Sequence, residues 1–162
     1  MLLAVESHDA AGRDQDPRSF GFDGSVEFPP HNMGVVAPTP RLLNSKFFGT
    51  LYDYKAAVKR YIKKRWPAYP FYRGVMPRWD NTARRQNNSH VFVGSTPGAY
   101  QAWLDVMIEQ TRAMHVGDSR IVFINSWNEW AEGAHLEPDK IFGHAYLEAT
   151  RNALDAHSLL VR

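Results

Sequence analysis

The sequence predicts an α/β chain, the C-terminal half of a (β/α)8 barrel with about four parallel strands and covering helices. Three observations predict it. Short apolar runs alternate with amphipathic helical stretches, the order expected of a parallel sheet covered by helices. No Gly-rich phosphate loop follows any strand, which removes the main support for an open nucleotide-binding sheet. The chain has 162 residues, room for about half of the roughly 250 that a complete barrel takes. A single domain over residues 1–162 is expected, truncated at its N-terminus.

Leu2 to Val5 is a short buried strand with a polar exit at Glu6 to Asp9, and residues 10–24 read as loop. Ser25 to Phe28 is a second strand, stopped by Pro29-Pro30, which cannot donate to a ladder. Residues 31–50 read as loop. The first helix is expected from Asp53 to Trp66, where Tyr54, Val58, Tyr61, Ile62 and Trp66 recur at helical spacing before Pro67. A third strand follows at Tyr72 to Trp79, with a long polar exit over residues 80–88. Thr96 caps a helix with Pro97 at its first position, and Tyr100, Trp103, Leu104, Met107, Ile108 and Met114 form its apolar face. Arg120 to Trp127 reads as a strand buried on both faces, and a last helix spans about Gly143 to His157.

Composition narrows the function. The chain has no Cys, which excludes a disulfide-stapled fold and thiolate zinc sites, and its net charge of +2 is no polyanion-binding signature. Five Trp, seven Tyr and nine Phe exceed the needs of a core this size and point to stacking surfaces for a ligand such as the apolar face of a sugar. No apolar run approaches the length of a membrane span, and no export signal opens the chain, so a cytoplasmic location is expected.

The chemistry concentrates in Trp127-Asn128-Glu129-Trp130-Ala131-Glu132-Gly133, directly after the most apolar strand. Sites in parallel sheets lie beyond the carboxyl ends of the strands. On a continuing strand, Glu129 and Glu132 would face opposite ways; on a helical turn their stems come within about 5–6 Å. Two close acids resist a second charge, so one stays protonated beside an ionised neighbour. Glycosidic chemistry needs that pairing. Trp127 and Trp130 would wall the pocket, and Asn128 is a further substrate-binding candidate. In the alternative reading, both Glu cap the turn or pair with Arg.

Asn128-Glu129-Trp130-Ala131-Glu132-Gly133, with Leu136-Glu137-Pro138-Asp139 and Ala145-Tyr146-Leu147-Glu148-Ala149, resembles the C-terminal signature of WbsX-type glycosyltransferases. These are polysaccharide-biosynthesis proteins related to the endo-α-mannosidases of glycoside hydrolase family 99. Phe22-Asp23, Val26 to His31, Trp79 to Thr82 with Arg84-Arg85, and Ser95-Thr96-Pro97 also match. The resemblance implies a (β/α)8 barrel in which Glu129 acts as base on the sugar 2-hydroxyl and Glu132 as general acid and then base. Ala131 stands where those hydrolases often carry His. The family's N-terminal half has no counterpart here, so the isolated chain is expected to be inactive. It should pair with that half or with itself through exposed sheet edges.

Glu27 and His31 at one strand exit, and Trp79, Asp80 and Asn81 at another, are further candidates for substrate binding, against structural roles in ending strands and forming turns. Arg84 and Arg85 could clamp a phosphate of a sugar donor or lipid carrier; the alternative is solvated loop charge. The basic helix face of Lys55, Lys59, Arg60, Lys63, Lys64 and Arg65 reads as the outer surface of a barrel helix rather than a nucleic-acid surface. Asp14-Gln15-Asp16 and the set His135, Glu137 and Asp139 are discounted as metal ligands. No metal or cofactor is expected. The partner is a saccharide or glycan, handled by a carbohydrate-active enzyme or its catalytic half; an inactive carbohydrate-binding remnant is the alternative, and a polyanion-binding protein a third reading.

Overall fold

The structure is a computed structural model and describes residues 1–5, 15–38 and 42–158. The expected exit at Glu6 to Asp9, the loop residues 10–14 with Asp14, residues 39–41 and the last four residues lie outside it.

Four parallel segments line up, each seeded by an apolar run that the sequence makes visible. Strand β1 (Leu3–Val5) pairs with β2 (Gly24–Val26) in the register Leu3 to Gly24 and Val5 to Val26. On its other side β2 pairs with β4 (Phe71–Tyr72). Strand β5 (Gly74–Val75) continues the same run after Arg73 and pairs with β7 (Phe123–Ile124). The order is therefore β1, β2, β4–β5, β7, all parallel. Among the described residues β1 and β7 each pair on one side only, and the sheet does not close.

The expected third strand, Tyr72 to Trp79, ends early because Pro77 cannot donate to a ladder. The run from Arg120 to Trp127 shrinks to two paired residues, and Phe123 is exposed. The expected burial on both faces thus fails at Phe123, and among the described residues no strand pairs with the far edge of β7.

Strands β3 (Thr50–Asp53) and β6 (His90–Val93) form a separate parallel pair that the sequence reading does not contain. They flank α1 (Tyr54–Ile62) and α2 (Thr82–Arg85). Asp53 caps α1 by accepting from the Ala56 N–H at 2.9 Å, and Tyr54, Ala57, Val58 and Tyr61 form its buried stripe. The helix ends before the expected Trp66. The Trp66 ring instead packs edge-on to Phe71 and His115, at 5.8 and 5.6 Å, and so belongs to the following loop.

Helix α3 (Pro97–Met114) matches the sequence reading, with Thr96 accepting from the Ala99 N–H at 3.1 Å. The hairpin β8 (Asn128–Glu129) and β9 (Ala134–His135) precedes α4 (Ala145–Ser158). The core lies among α1, α3 and α4 and is built on Tyr54, Tyr61, Tyr100, Trp103, Met107 and Tyr146.

Candidate active site

Two strand exits meet at the carboxyl end of the sheet. After β7 the chain runs into β8, then a 3₁₀ turn over Trp130–Glu132 that begins at Glu129. Ser126 braces this turn: its Oγ donates to the Ala134 carbonyl at 2.7 Å and accepts from the Glu129 N–H at 3.1 Å. The Asp80 N–H, at the exit of β5, donates to the Glu132 carbonyl at 2.8 Å. Gly133 makes the contact possible. Its φ is +59°, and an added Cβ would sit 2.8 Å from the Asp80 carbonyl oxygen, so a side chain is excluded twice over.

The Glu132 carboxylate pairs with Arg84 on α2. The Glu129 carboxylate has no hydrogen-bond or ion-pair partner among the described residues. Arg84 is thus engaged by Glu132 rather than held for a phosphate, a correction to its expected role. The ion pair also realises, for Glu132, the alternative in which a carboxylate here pairs with Arg. Arg84 is more than half exposed, so the pair holds weakly, by about 0–1 kcal/mol.

The indoles beside this turn are open. Trp127 is 53% exposed and Trp130 49%. Trp130 stacks on His135 with centroids 3.8 Å apart, and its Nε1 donates to Glu137 at 2.6 Å. His135 Nε2 lies 3.2 Å from Asp139, which also pairs with Arg78 at 2.9 Å. Burial pushes the Asp139 carboxyl up, but the N–H groups of Phe142 and Ile141, His135 and the charge of Arg78 bring it net below the ordinary value. A groove of about 810 Å³ runs past Trp130, Gly133, His135 and Asp139. Asn128 is exposed on β8.

Trp79 and Glu27 depart from expectation. Trp79 is 7% exposed and belongs to the core cluster, though it also lines the smaller cleft described below. Glu27 is 1% exposed. It pairs with Arg73 at 3.1 Å and Lys64 at 3.3 Å and accepts from the Gly74 N–H at 3.1 Å. A carboxylate so enclosed offers no surface to a sugar; its role is structural.

Asp80 Oδ1 accepts from the Thr82 N–H at 3.0 Å, and Asn81 Oδ1 from the His90 N–H at 2.8 Å. His31, Trp79, Asn81 and Arg85 line a second cleft of about 280 Å³ with Tyr52, His90 and Phe92. Ser126, Gly133, His135 and His90 escape the sequence reading as site residues. A positive-φ glycine straight after the Glu pair was the one signal available for them.

The fold and the paired exits define an α/β chain of parallel strands with acidic and aromatic side chains at their carboxyl ends. The chain belongs to the family described as Glycosyltransferase WbsX, which matches residues 1–150, as the resemblance of the Asn128–Gly133 stretch implies. It is 42% identical over 142 residues, 86% of its length, to an uncharacterized protein WxcX in two strains of Xanthomonas campestris pv. campestris. The chain spans 20% of the length of those relatives. A solved glycoside hydrolase-like protein shares its fold at a TM-score of 0.54 and 13% identity, over 93% of this chain and 43% of that one. A GH99 endo-alpha-mannosidase from Bacteroides thetaiotaomicron, solved with bis-tris-propane, superposes at 0.47 with 16% identity, over 97% of this chain and 48% of that one. No helix among the described residues is long and apolar enough to cross a membrane.

Proposed function

We propose that this chain is the C-terminal half of a (β/α)8 barrel carrying the acid–base carboxylates of an enzyme that makes or breaks a glycosidic bond in polysaccharide or lipopolysaccharide biosynthesis. The observation that carries the reading is the turn itself: Glu129 and Glu132 flank one 3₁₀ turn at the exit of a parallel strand, tied to the neighbouring exit through Asp80 and bordered by exposed indoles. Membership of a glycosyltransferase family supports it. So do the one-sided edges of β1 and β7, which fit strands awaiting partners.

In this reading Glu129, whose carboxylate is unengaged, removes a hydroxyl proton. Glu132 delivers a proton to the departing oxygen from Oε2, the carboxyl oxygen that Arg84 does not occupy. Trp127 and Trp130 stack the sugar. A cytoplasmic location belongs to the same proposal.

In a full-length protein, Glu129→Gln and Glu132→Gln each lower turnover by about 10²–10⁴-fold with folding intact. Retention of activity by both variants ends the reading. The isolated chain is expected to show no turnover. A second reading, a carbohydrate-binding remnant, rests on the exposed Trp130; there saccharide binding survives both Gln changes and fails with Trp130→Ala.

A further inference from the structure

We propose that the cleft between the exit of β2 and the β3–β6 pair binds the phosphoryl group of a phosphorylated sugar, with Arg85 as its fixed charge and His31 and His90 as further donors. The proposal rests on the sugar-chemistry reading and names the substrate class that goes with it.

The cleft is unusual in what it lacks. Its ten lining residues, which include His31, Tyr52, Asn81, Arg85 and His90, contain no carboxylate, in a chain that has 17 Asp and Glu. The arrangement of α2 explains why a cation remains available there. Consecutive residues on a helical turn point about 100° apart, so Arg84 reaches Glu132 while Arg85 lines the cleft. Arg85 has no ion-pair partner among the described residues.

Asn81 completes the set. Its Oδ1 is taken by the His90 N–H, which leaves the amide NH₂ as the group it can offer a ligand. Guanidinium, imidazoles, amide NH₂ and the Tyr52 hydroxyl together make a donor-rich lining suited to an oxyanion with several acceptors. Part of the remaining wall is aromatic: Tyr52 and Phe92 stack at 4.8 Å, and Trp79 also lines the cleft. A sugar ring fits against such a wall. At about 280 Å³ the space lies just below the roughly 300–1,000 Å³ of drug-sized ligand pockets, which suits a hexose phosphate rather than anything larger.

The test is calorimetric titration of the full chain with glucose 1-phosphate, inorganic phosphate, glucuronate and glucose. Glucose 1-phosphate should bind most tightly and inorganic phosphate more weakly. Arg85→Gln, a change at an exposed side chain that leaves the fold intact, should weaken both by at least about tenfold, the scale of one hydrogen bond to a charged group. Glu129→Gln and Glu132→Gln should leave these affinities unchanged. Absence of glucose 1-phosphate binding, or binding indifferent to Arg85→Gln, overturns the proposal. Glucuronate binding as well as glucose 1-phosphate overturns the phosphoryl assignment, and inorganic phosphate doing so overturns the sugar part. Should both Glu variants keep turnover while the Arg85 dependence holds, the catalytic reading falls and the phosphoryl site stands.

Discussion

Glu27→Gln tests whether Glu27 serves the fold or the ligand. The substitution keeps the shape of the side chain and removes its charge. Arg73 is wholly buried and keeps as other partners the Tyr61 carbonyl at 2.8 Å, the Met107 sulfur at 3.2 Å and the rings of Tyr61 and Trp66, 5.9 and 5.5 Å from its guanidinium carbon. Lys64 is partly exposed and can turn to water, so the loss comes chiefly from the stranded guanidinium. Removing one partner of a buried pair costs about 3–5 kcal/mol. At about 2–4 °C per kcal/mol for a chain of this size, that is a fall in Tm of about 6–20 °C. Urea unfolding followed by tryptophan fluorescence measures it. The double variant Glu27→Gln/Arg73→Met removes both charges and should regain more than half of the loss, because no buried cation is left alone. Below its transition, Glu27→Gln should bind saccharide within about twofold of the parent, a difference worth only a few tenths of a kcal/mol. A loss under about 1 kcal/mol, or a double variant no more stable than the single one, refutes the reasoning.

Gly133→Ala combines a left-handed backbone with a clash on Asp80 and should cost about 2–4 kcal/mol, whereas Gly98→Ala, with open space around its Cβ, should stabilise by a few tenths to about 1 kcal/mol; denaturant midpoints compare the two. The folded-state carboxyl of Asp139 titrates below its ordinary value, so its contribution is present at neutral pH and lost as pH falls below about 4 through the depressed value. Asp139→Asn should therefore lower stability at pH 7 and flatten its fall in acid, read from Tm against pH. Arg84→Gln frees Glu132; with the pair worth about 0–1 kcal/mol, Tm should barely move while the pH profile of turnover in the full-length protein shifts. Trp79→Ala empties a core site and should cost about 3–5 kcal/mol, measured by unfolding.

Much of the fold was legible where the chain reads locally. The spacing of Tyr100, Trp103, Leu104 and Met107, with Thr96 and Pro97 in front, specifies α3, and Asp53 caps α1 as its position suggests. Strands β3 and β6 were not legible, since Thr50–Asp53 and His90–Val93 are four-residue runs bounded by polar segments and draw their stability from each other. The site divides the same way. The turn bearing Glu129 and Glu132 follows from a strand breaking at its exit, but the partners of Glu132 and Glu27 lie 46 or more residues away in sequence for Arg84 and Arg73. No local pattern announces such pairings. Trp79 and Trp130 look alike in sequence, yet one joins the core cluster and the other stays open to solvent, a difference that only the tertiary packing decides.

The four residues of α2 form a short lever anchored at its start by the Asp80 carboxylate on the Thr82 N–H. One arm, Arg84, rests on Glu132, and the adjacent arm, Arg85, hangs over the smaller cleft. Adjacent side chains of one four-residue turn thus reach Glu132 and the smaller cleft, so a change that displaces α2 disturbs both at once.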